Sequence, residues 1–308
     1  MKKAFIVLSV LTAFLLSGCV YRMKILNETD PVKVRAMAKD KNVRDQVDGG
    51  ASALMATIAL DRTQSAIILI DEGADINKQD KEGQTALTYA IAKKNNAVID
   101  AILAKGPNLE LKNKGGVTAL WYAIDAGDEA LVMKFLKAGA SANTEDKEGD
   151  TPLSFVAQKN NINIARMLLS YKADMKAKSK KDSYTPLMFA AQNADRKMLE
   201  LFLKEGAELN ARDKNGMNSL FRAIAGNKID NFNCLMENNI EINVTSADGQ
   251  GITPLMAAVY IKNKDMVAAL IKKGADLNAK IPKGFNAYDI AKMSGQPEMA
   301  QMIKDNMK

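Results

Sequence analysis

The sequence of 308 residues contains no histidine. This absence removes Ser-His and Cys-His nucleophile systems and histidine-ligated metal sites. The glycine pairs at 115–116 and 249–251 fall on turns that recur along the chain, so they do not predict a phosphate-binding loop. One turn gathers the carboxylates Glu145, Asp146, Glu148 and Asp150. That turn offers no apolar pocket of the kind acid-base catalysis needs, and we interpret it as a solvated turn. We therefore expect no catalytic residue, metal or cofactor, and an enzyme is the weakest hypothesis for this chain.

Long apolar runs are scarce, and the one at Ala4 to Leu15 follows Lys2 and Lys3. The run is too short to span a bilayer as a helix, so it predicts the core of an export signal. The next residues, Leu16-Ser17-Gly18-Cys19, resemble the lipobox of bacterial lipoproteins. The alternative is an ordinary signal peptide in which the cysteine occurs by chance.

The lipobox resemblance implies a signal peptide of residues 1–18 and acylation of Cys19 with chains such as palmitate. Val20 stands where many inner-membrane lipoproteins carry Asp. By that analogy we expect an anchor in the outer membrane that faces the periplasm. Loss of Lys2 and Lys3 would lower the formal charge of +7 to about +5. Outside the cytoplasm the lysine-rich segment Lys176 to Lys181 would not meet nucleic acid.

The sequence has two cysteines, Cys19 and Cys234. With Cys19 acylated, no internal disulfide can form, and the body must be held by its packed core. Cys234 precedes Leu235 and Met236 in an apolar segment. This setting favours a buried small hydrophobe over a reactive thiol.

A repeat runs along most of the chain. Its clearest copy is Asp146 to Leu153, and the leucines at the same place recur 33 to 35 residues apart. They are Leu54, Leu87, Leu120, Leu153, Leu187, Leu220 and Leu255, followed by Tyr288. A period in that range over seven copies predicts a solenoid.

Each copy carries the same helix signals. A glycine two residues before the Thr position predicts a tight turn with positive φ, and Ser183 breaks that row. Thr-Pro-Leu, as in Thr151 to Leu153, predicts a helix start with a capping hydroxyl and proline in the first turn. A left-handed cap is predicted 21 residues after each Thr position, usually at Gly or Asn, with Lys172 as a strained exception.

These motifs, together with Gly-Ala-Asp-x-Asn at Gly73 to Asn77 and at Gly274 to Asn278, resemble ankyrin repeats. The resemblance implies an all-α fold of helix-turn-helix repeats with hairpin-like turns, stacked as an ankyrin-type solenoid. One departure is that the histidine usual after the leucine is absent. We expect this to make the stacking of the repeats less typical.

The register also suggests the layout of the chain. We expect a tether at 19–30, a capping half-repeat at 31–47, seven repeats at 48–280 and a degenerate capping repeat at 281–308. No linker interrupts the array, so no domain boundary is expected inside it.

Three rows of residues are candidates for a binding surface. The first is a lysine in the second place of five successive turns: Lys81, Lys114, Lys147, Lys181 and Lys214. These lysines are either ordinary solvated residues or the contact for an acidic partner. The second row follows the turn glycine and is apolar at Tyr184, Met217, Ile252 and Phe285, with Tyr260 nearby in register. Such a row is typical of an interface core, or else the side chains fold onto their neighbours. The third row, Tyr89, Tyr122, Phe155 and Phe189, is interpreted as packing of the first helices.

The family resemblance implies a protein that binds other proteins through the concave face formed by the turns and first helices. We expect the chain to be a monomer when unbound. One hypothesis is an inhibitor or immunity protein that occludes a toxic enzyme in the periplasm. The alternative is a scaffold or chaperone for a resident envelope enzyme, as suggested for bacterial ankyrin proteins linked to catalases.

Overall fold

The computed structural model describes residues 24–45, 47, 48 and 50–307. The predicted signal peptide, the lipobox and Cys19 lie outside the described residues. The chain forms two compact units, of which the first ends at Lys147 and the second begins at Glu148. The boundary therefore falls on a turn inside the predicted array, where the sequence has no linker. Repeats are held by contacts with their nearest neighbours, so compact units can divide without a linker between them.

The first unit begins with a short 3-10 helix, Lys24–Asn27. Its α-helices are α1 Pro31–Lys39, α2 Lys41–Arg44, α3 Ala53–Ala59, α4 Thr63–Asp71, α5 Ala86–Ala92, α6 Asn96–Ala104, α7 Ala119–Asp125 and α8 Glu129–Lys137. The strands β1 Val47–Asp48 and β2 Ala51–Ser52 pair as an antiparallel hairpin. The first helices α3, α5 and α7 stack in sequence, and α1 packs against α4.

The second unit contains five helix pairs. They are α9 Pro152–Lys159 with α10 Ile162–Ser170, α11 Pro186–Asn193 with α12 Arg196–Lys204, α13 Ser219–Ala225 with α14 Ile229–Glu237, α15 Pro254–Tyr260 with α16 Lys264–Lys272, and α17 Ala287–Met293 with α18 Pro297–Asn306. The first helices α9, α11, α13, α15 and α17 stack in order. The all-α repeat fold predicted from the sequence is thereby confirmed.

The predicted helix signals form in both units. In α9 the Thr151 side chain accepts a hydrogen bond from the amide of Ser154, and Pro152 occupies the first turn. Left-handed caps end the second helices at the predicted positions, including Lys172 at φ 61°. The turn glycines have positive φ, and Ser183 adopts the same conformation at φ 56°. The local sequence therefore fixes where each helix begins and ends.

The core of each unit is formed by the repeated leucines and by alanines that let the helices approach closely. Leu54, Leu87 and Leu120 are buried in the first unit, and Leu153, Leu187, Leu220 and Leu255 are buried in the second. Cys234 is buried in α14, as predicted. Along the described part of the chain, no helix has the length and apolar character needed to cross a bilayer.

Candidate functional site

Successive turns are joined by backbone hydrogen bonds. In the first unit the amide of Lys114 donates to the carbonyl of Glu82 at 2.9 Å. In the second unit the amide of Lys180 donates to Glu148 at 2.8 Å and that of Lys214 to Asp182 at 3.1 Å. These hydrogen bonds show which residues are equivalent in successive turns, and they change one residue of the predicted lysine row. Lys180, and not Lys181, occupies the lysine row, because the turn from Ser179 to Tyr184 contains one additional residue.

The lysines of this row are exposed, and two of the predicted five are in ion pairs within their own unit. The Lys114 Nζ lies 3.1 Å from a Glu82 carboxylate oxygen, and the Lys214 Nζ lies 2.8 Å from an Asp182 oxygen. Lys81, Lys147 and Lys181 are also exposed. Exposed ion pairs contribute only about 0 to 1 kcal/mol, so these lysines remain available to another partner.

The row that follows the turn glycine changes character along the chain. Its members Ala51, Gln84, Val117 and Asp150 are buried. Tyr184, Met217 and Ile252 are half-buried, and Phe285 is 37% exposed. Tyr260, at the end of α15, is 55% exposed. We call Tyr184, Met217, Ile252, Tyr260 and Phe285 the first-helix face of the second unit.

A cluster of polar and aromatic groups supports the start of this face. The Arg222 guanidinium stacks over the Tyr184 ring, 4.1 Å from its centroid, and donates to the buried carboxylate of Asp213. Phe189 meets the same tyrosine edge-on, with ring centroids 5.4 Å apart. Burial raises the pKa of Tyr184, and the nearby Arg222 charge opposes that shift only in part. The Tyr184 ring is therefore neutral and held in place by its neighbours. Only the part of the ring that stays exposed could contact a partner, as the sequence predicts for this residue.

The third predicted row packs inside the repeats, as interpreted from the sequence. Tyr89 and Tyr122 are buried, and their hydroxyl groups tie the first helix to its own turn. Tyr89 donates to Asp80 at 2.9 Å, while the Tyr122 oxygen accepts from Asn113 at 2.9 Å. Arg222 makes the same connection to Asp213 in the second unit. These residues position the turns rather than contact a partner.

Other side chains occupy the place of the missing histidine. Trp121 donates from its indole nitrogen to the Thr144 hydroxyl at 3.2 Å, which links α7 to the segment that leads into the next repeat. Asn218, which lies at the Thr position two residues before Leu220, makes another link of this kind from its side-chain amide to the carbonyl of Glu241 at 2.8 Å. Inter-repeat hydrogen bonding is thus present at these two places without an imidazole.

Sequence reasoning missed Met293, which is 69% exposed at the end of α17. Met293 follows Tyr260 by 33 residues and therefore holds the same register position one repeat later. The repeat period is the signal that identifies it, because it places Met293 within the predicted capping repeat at the position that Tyr260 has one repeat earlier.

A groove of about 500 Å³ lies on the loops of the second unit, away from the first-helix face. Arg212 and Lys273 line it together with Glu241, and Arg212 pairs with Glu241 at 2.5 Å. Among the described residues, no group of three or more potential ligands could hold a metal ion.

Stacked helix pairs, laddered turns and an exposed apolar row on the first helices define a repeat module for protein-protein interaction. Ankyrin-repeat profiles match residues 19–113, 92–179 and 171–246, and a single-repeat profile matches residues 250–281. The chain therefore belongs to the ankyrin-repeat family. It is also 35% identical over 68 residues to a protein of Rickettsia felis named as an ankyrin repeat protein. That match covers 22% of this chain and 22% of the relative's length.

Proposed function

We propose that this chain is a non-enzymatic lipoprotein of the bacterial envelope that binds a toxic enzyme in the periplasm and occludes its active site. The observation that supports binding is the exposure of Tyr260 and Phe285 beside the half-buried Ile252 and Met217. Aromatic and apolar side chains held at a surface by a rigid scaffold are typical of the energetic centre of protein interfaces.

The mechanism we propose is steric. The Tyr184, Phe189 and Arg222 cluster restrains the start of the first-helix face, so little side-chain freedom remains to be lost on binding. The apolar residues would enter the partner's cleft, and the exposed turn lysines would contact acidic groups at its rim. Acylated Cys19 would keep the complex at the membrane, where an incoming enzyme must pass.

The contribution of the two most exposed residues can be measured. Tyr260→Ser and Phe285→Ser should each weaken binding at least about tenfold, since interface aromatics contribute more than about 1.4 kcal/mol. Tyr171→Ser on the second-helix side is the matched control, because Tyr171 is 37% exposed like Phe285. The control should leave the dissociation constant unchanged.

A deletion strain tests the role itself. Cells that lack the gene should be killed by toxin-producing competitors, and the wild-type gene should restore survival while a Tyr260→Ser/Phe285→Ser gene should not. Equal survival of the deletion strain would refute the immunity role. Loss of a resident enzyme's activity in that strain, such as that of a catalase, would assign the chain to the scaffold alternative.

A further inference from the structure

Three of the most exposed large apolar side chains lie close together in the second unit. They are Tyr260 at 55%, Phe285 at 37% and Met293 at 69% exposure. Tyr260 and Met293 end the adjacent helices α15 and α17, and Phe285 lies just before α17. Neighbouring helix axes lie about 8 to 10 Å apart, and α17 rises about 9 Å from Ala287 to Met293, with Phe285 two residues before its start. We call these three residues the 260–293 patch, which is large enough to receive one or two side chains.

Each residue of the patch has an exposed lysine within two residues in the sequence. Lys262 follows Tyr260 by two residues, Lys283 precedes Phe285 by two, and Lys292 adjoins Met293. Within the described residues these three lysines make no ion pair. By contrast Lys264, at the start of the second helix α16, pairs with Glu298 at 3.0 Å. Lys264 is thus paired, while the three lysines near the patch are not.

The acidic residue of α17 is Asp289, which caps the start of the helix. Asp289 accepts a hydrogen bond from the amide of Asn286 at 3.1 Å and completes the capping box that starts the helix. Two other acidic residues are near in the sequence. Asp265 belongs to the second helix α16, and Asp248 lies on the turn before Ile252, where it accepts hydrogen bonds from the Ser246 hydroxyl and the Gln250 amide. Lys262, Lys283 and Lys292 outnumber the acidic residues Asp248 and Asp289, so the patch combines an apolar centre with an excess of positive charge. Electrostatic complementarity therefore favours a partner with negative charges around its apolar contact.

We infer that the partner docks on the 260–293 patch through an acidic protein segment that carries aromatic or branched apolar side chains. This inference rests on the proposed function only in taking the ligand to be a protein. An anionic bilayer would also match lysines and aromatic rings. A protein segment fits better, because Met217 and Ile252 continue the register of Phe285 through the two preceding repeats and are half-buried, and a single side chain contacts half-buried groups more readily than a bilayer surface does.

The test uses a displayed library of random peptides, selected against the mature chain from residue 19 onward with Cys19→Ser to prevent acylation. Selected peptides should be enriched in Asp and Glu together with Phe, Trp or Leu. Their affinity should fall at least tenfold for Tyr260→Ser/Phe285→Ser/Met293→Ser and for Lys283→Glu/Lys292→Glu. Their affinity should also fall as NaCl rises from about 0.05 to about 0.3 M, because salt screens exposed charges.

Two control variants keep the test specific. Val32→Ser removes an apolar residue that is 77% exposed in the first unit, and Lys197→Glu/Lys204→Glu changes two exposed lysines on α12. Both should bind the peptides like the wild type, and all variants should show unchanged circular dichroism. Peptides without acidic enrichment, or binding that the patch variants retain, would overturn the inference. Binding to phosphatidylglycerol vesicles that is lost in the patch variants, with no peptide enriched, would assign the patch to the membrane and also overturn it.

The peptide-binding test and the deletion-strain test can fail independently. Acidic peptides that need the patch, combined with a deletion strain that survives, would keep this inference and refute the immunity role. A sensitive deletion strain that the patch variant rescues would refute this inference, together with occlusion through Tyr260 and Phe285, and would keep the immunity role.

Discussion

Removal of the Arg222 side chain should destabilise the second unit strongly. Asp213 is fully buried and accepts hydrogen bonds from the amides of Asn215 and Met217 at 2.8 and 3.0 Å. The Arg222 side chain is 12% exposed and supplies the opposite charge. In Arg222→Leu that buried carboxylate keeps only two backbone partners. Breaking such a pair costs about 3 to 5 kcal/mol, and we expect the lower end because part of the guanidinium reaches water.

The first unit contains a neutral version of the same connection. Asn113 accepts from the amides of Gly115 and Val117 at 2.8 and 3.2 Å and donates to the Tyr122 oxygen. Tyr122 also donates to Gln84 at 2.8 Å, and Tyr184 takes the place of Gln84 in the second unit. The double variant Asp213→Asn/Arg222→Tyr copies the asparagine–tyrosine contact, without that second bond, into the second unit. It should remain within about 1 kcal/mol of the wild type, because no charge is left buried.

Thermal and urea unfolding followed by far-UV circular dichroism measure the effect. The single tryptophan, Trp121, lies in the first unit and does not report on this site directly. A loss of about 3 kcal/mol corresponds to a fall of about 6 to 12 °C in Tm for a unit of this size. Lys214→Ala, which removes the exposed pair with Asp182, should cost less than about 0.5 kcal/mol. A cost below about 0.5 kcal/mol for Arg222→Leu, or a double variant less stable than that single variant, would refute the reasoning.

Three further predictions concern turns, tyrosines and the buried thiol. Gly83→Ala should cost about 1 to 3 kcal/mol more than Gly73→Ala, since both have positive φ but only at Gly83 would a Cβ meet backbone, 2.8 Å from the Asn113 Cα; equal costs in urea unfolding would contradict this. Burial raises the pKa of Tyr89 and of Tyr122 above the usual 10.0, so stability should fall as pH rises past 10.0, where only the unfolded chain loses these protons. Absorbance at about 295 nm should show that Tyr89 and Tyr122 ionise only when the chain unfolds. Ionisation of all seven tyrosines in the folded chain would contradict this prediction. Burial also raises the pKa of the Cys234 thiol. In the Cys19→Ser protein, Ellman's reagent should therefore label Cys234 only as fast as the chain unfolds, and fast labelling of the folded protein would contradict this.

Much of the fold follows from short-range sequence rules. The turn glycines, the Thr-Pro starts and the left-handed caps act within a few residues, so their positions could be read directly from the period. The buried leucines could be predicted for the same reason, since each repeat buries the same apolar positions. The hydrogen-bonded role of Trp121 was not predictable, because it depends on Thr144 in the following segment.

The candidate site was less predictable than the fold. Tyr184 and Phe285 share one register position, yet Arg222 and Phe189 cover the first while the second stays exposed. The exposure of a side chain at this position depends on which side chains the neighbouring repeats place against it. The residues at one register position alone do not show this. The prediction of Lys181 in the lysine row was wrong by one residue. The sequence shows that this turn has one additional residue, but it does not show whether that residue comes before or after the lysine position. Lipidation of Cys19 and the place of the chain in the cell stay predictions.

The central claim is that the first-helix face of the second unit binds a protein partner. The most direct measurement is quantitative affinity purification from envelope extract with the Cys19→Ser mature chain, beside Ile252→Ser/Tyr260→Ser/Phe285→Ser and the control Tyr171→Ser. Tyr184 is left unchanged, because its substitution would disturb the Arg222 stack. The account predicts one stoichiometric protein that is recovered with the wild type and the control and is lost with the triple variant. Recovery of the same protein in equal amount with the folded triple variant would contradict it.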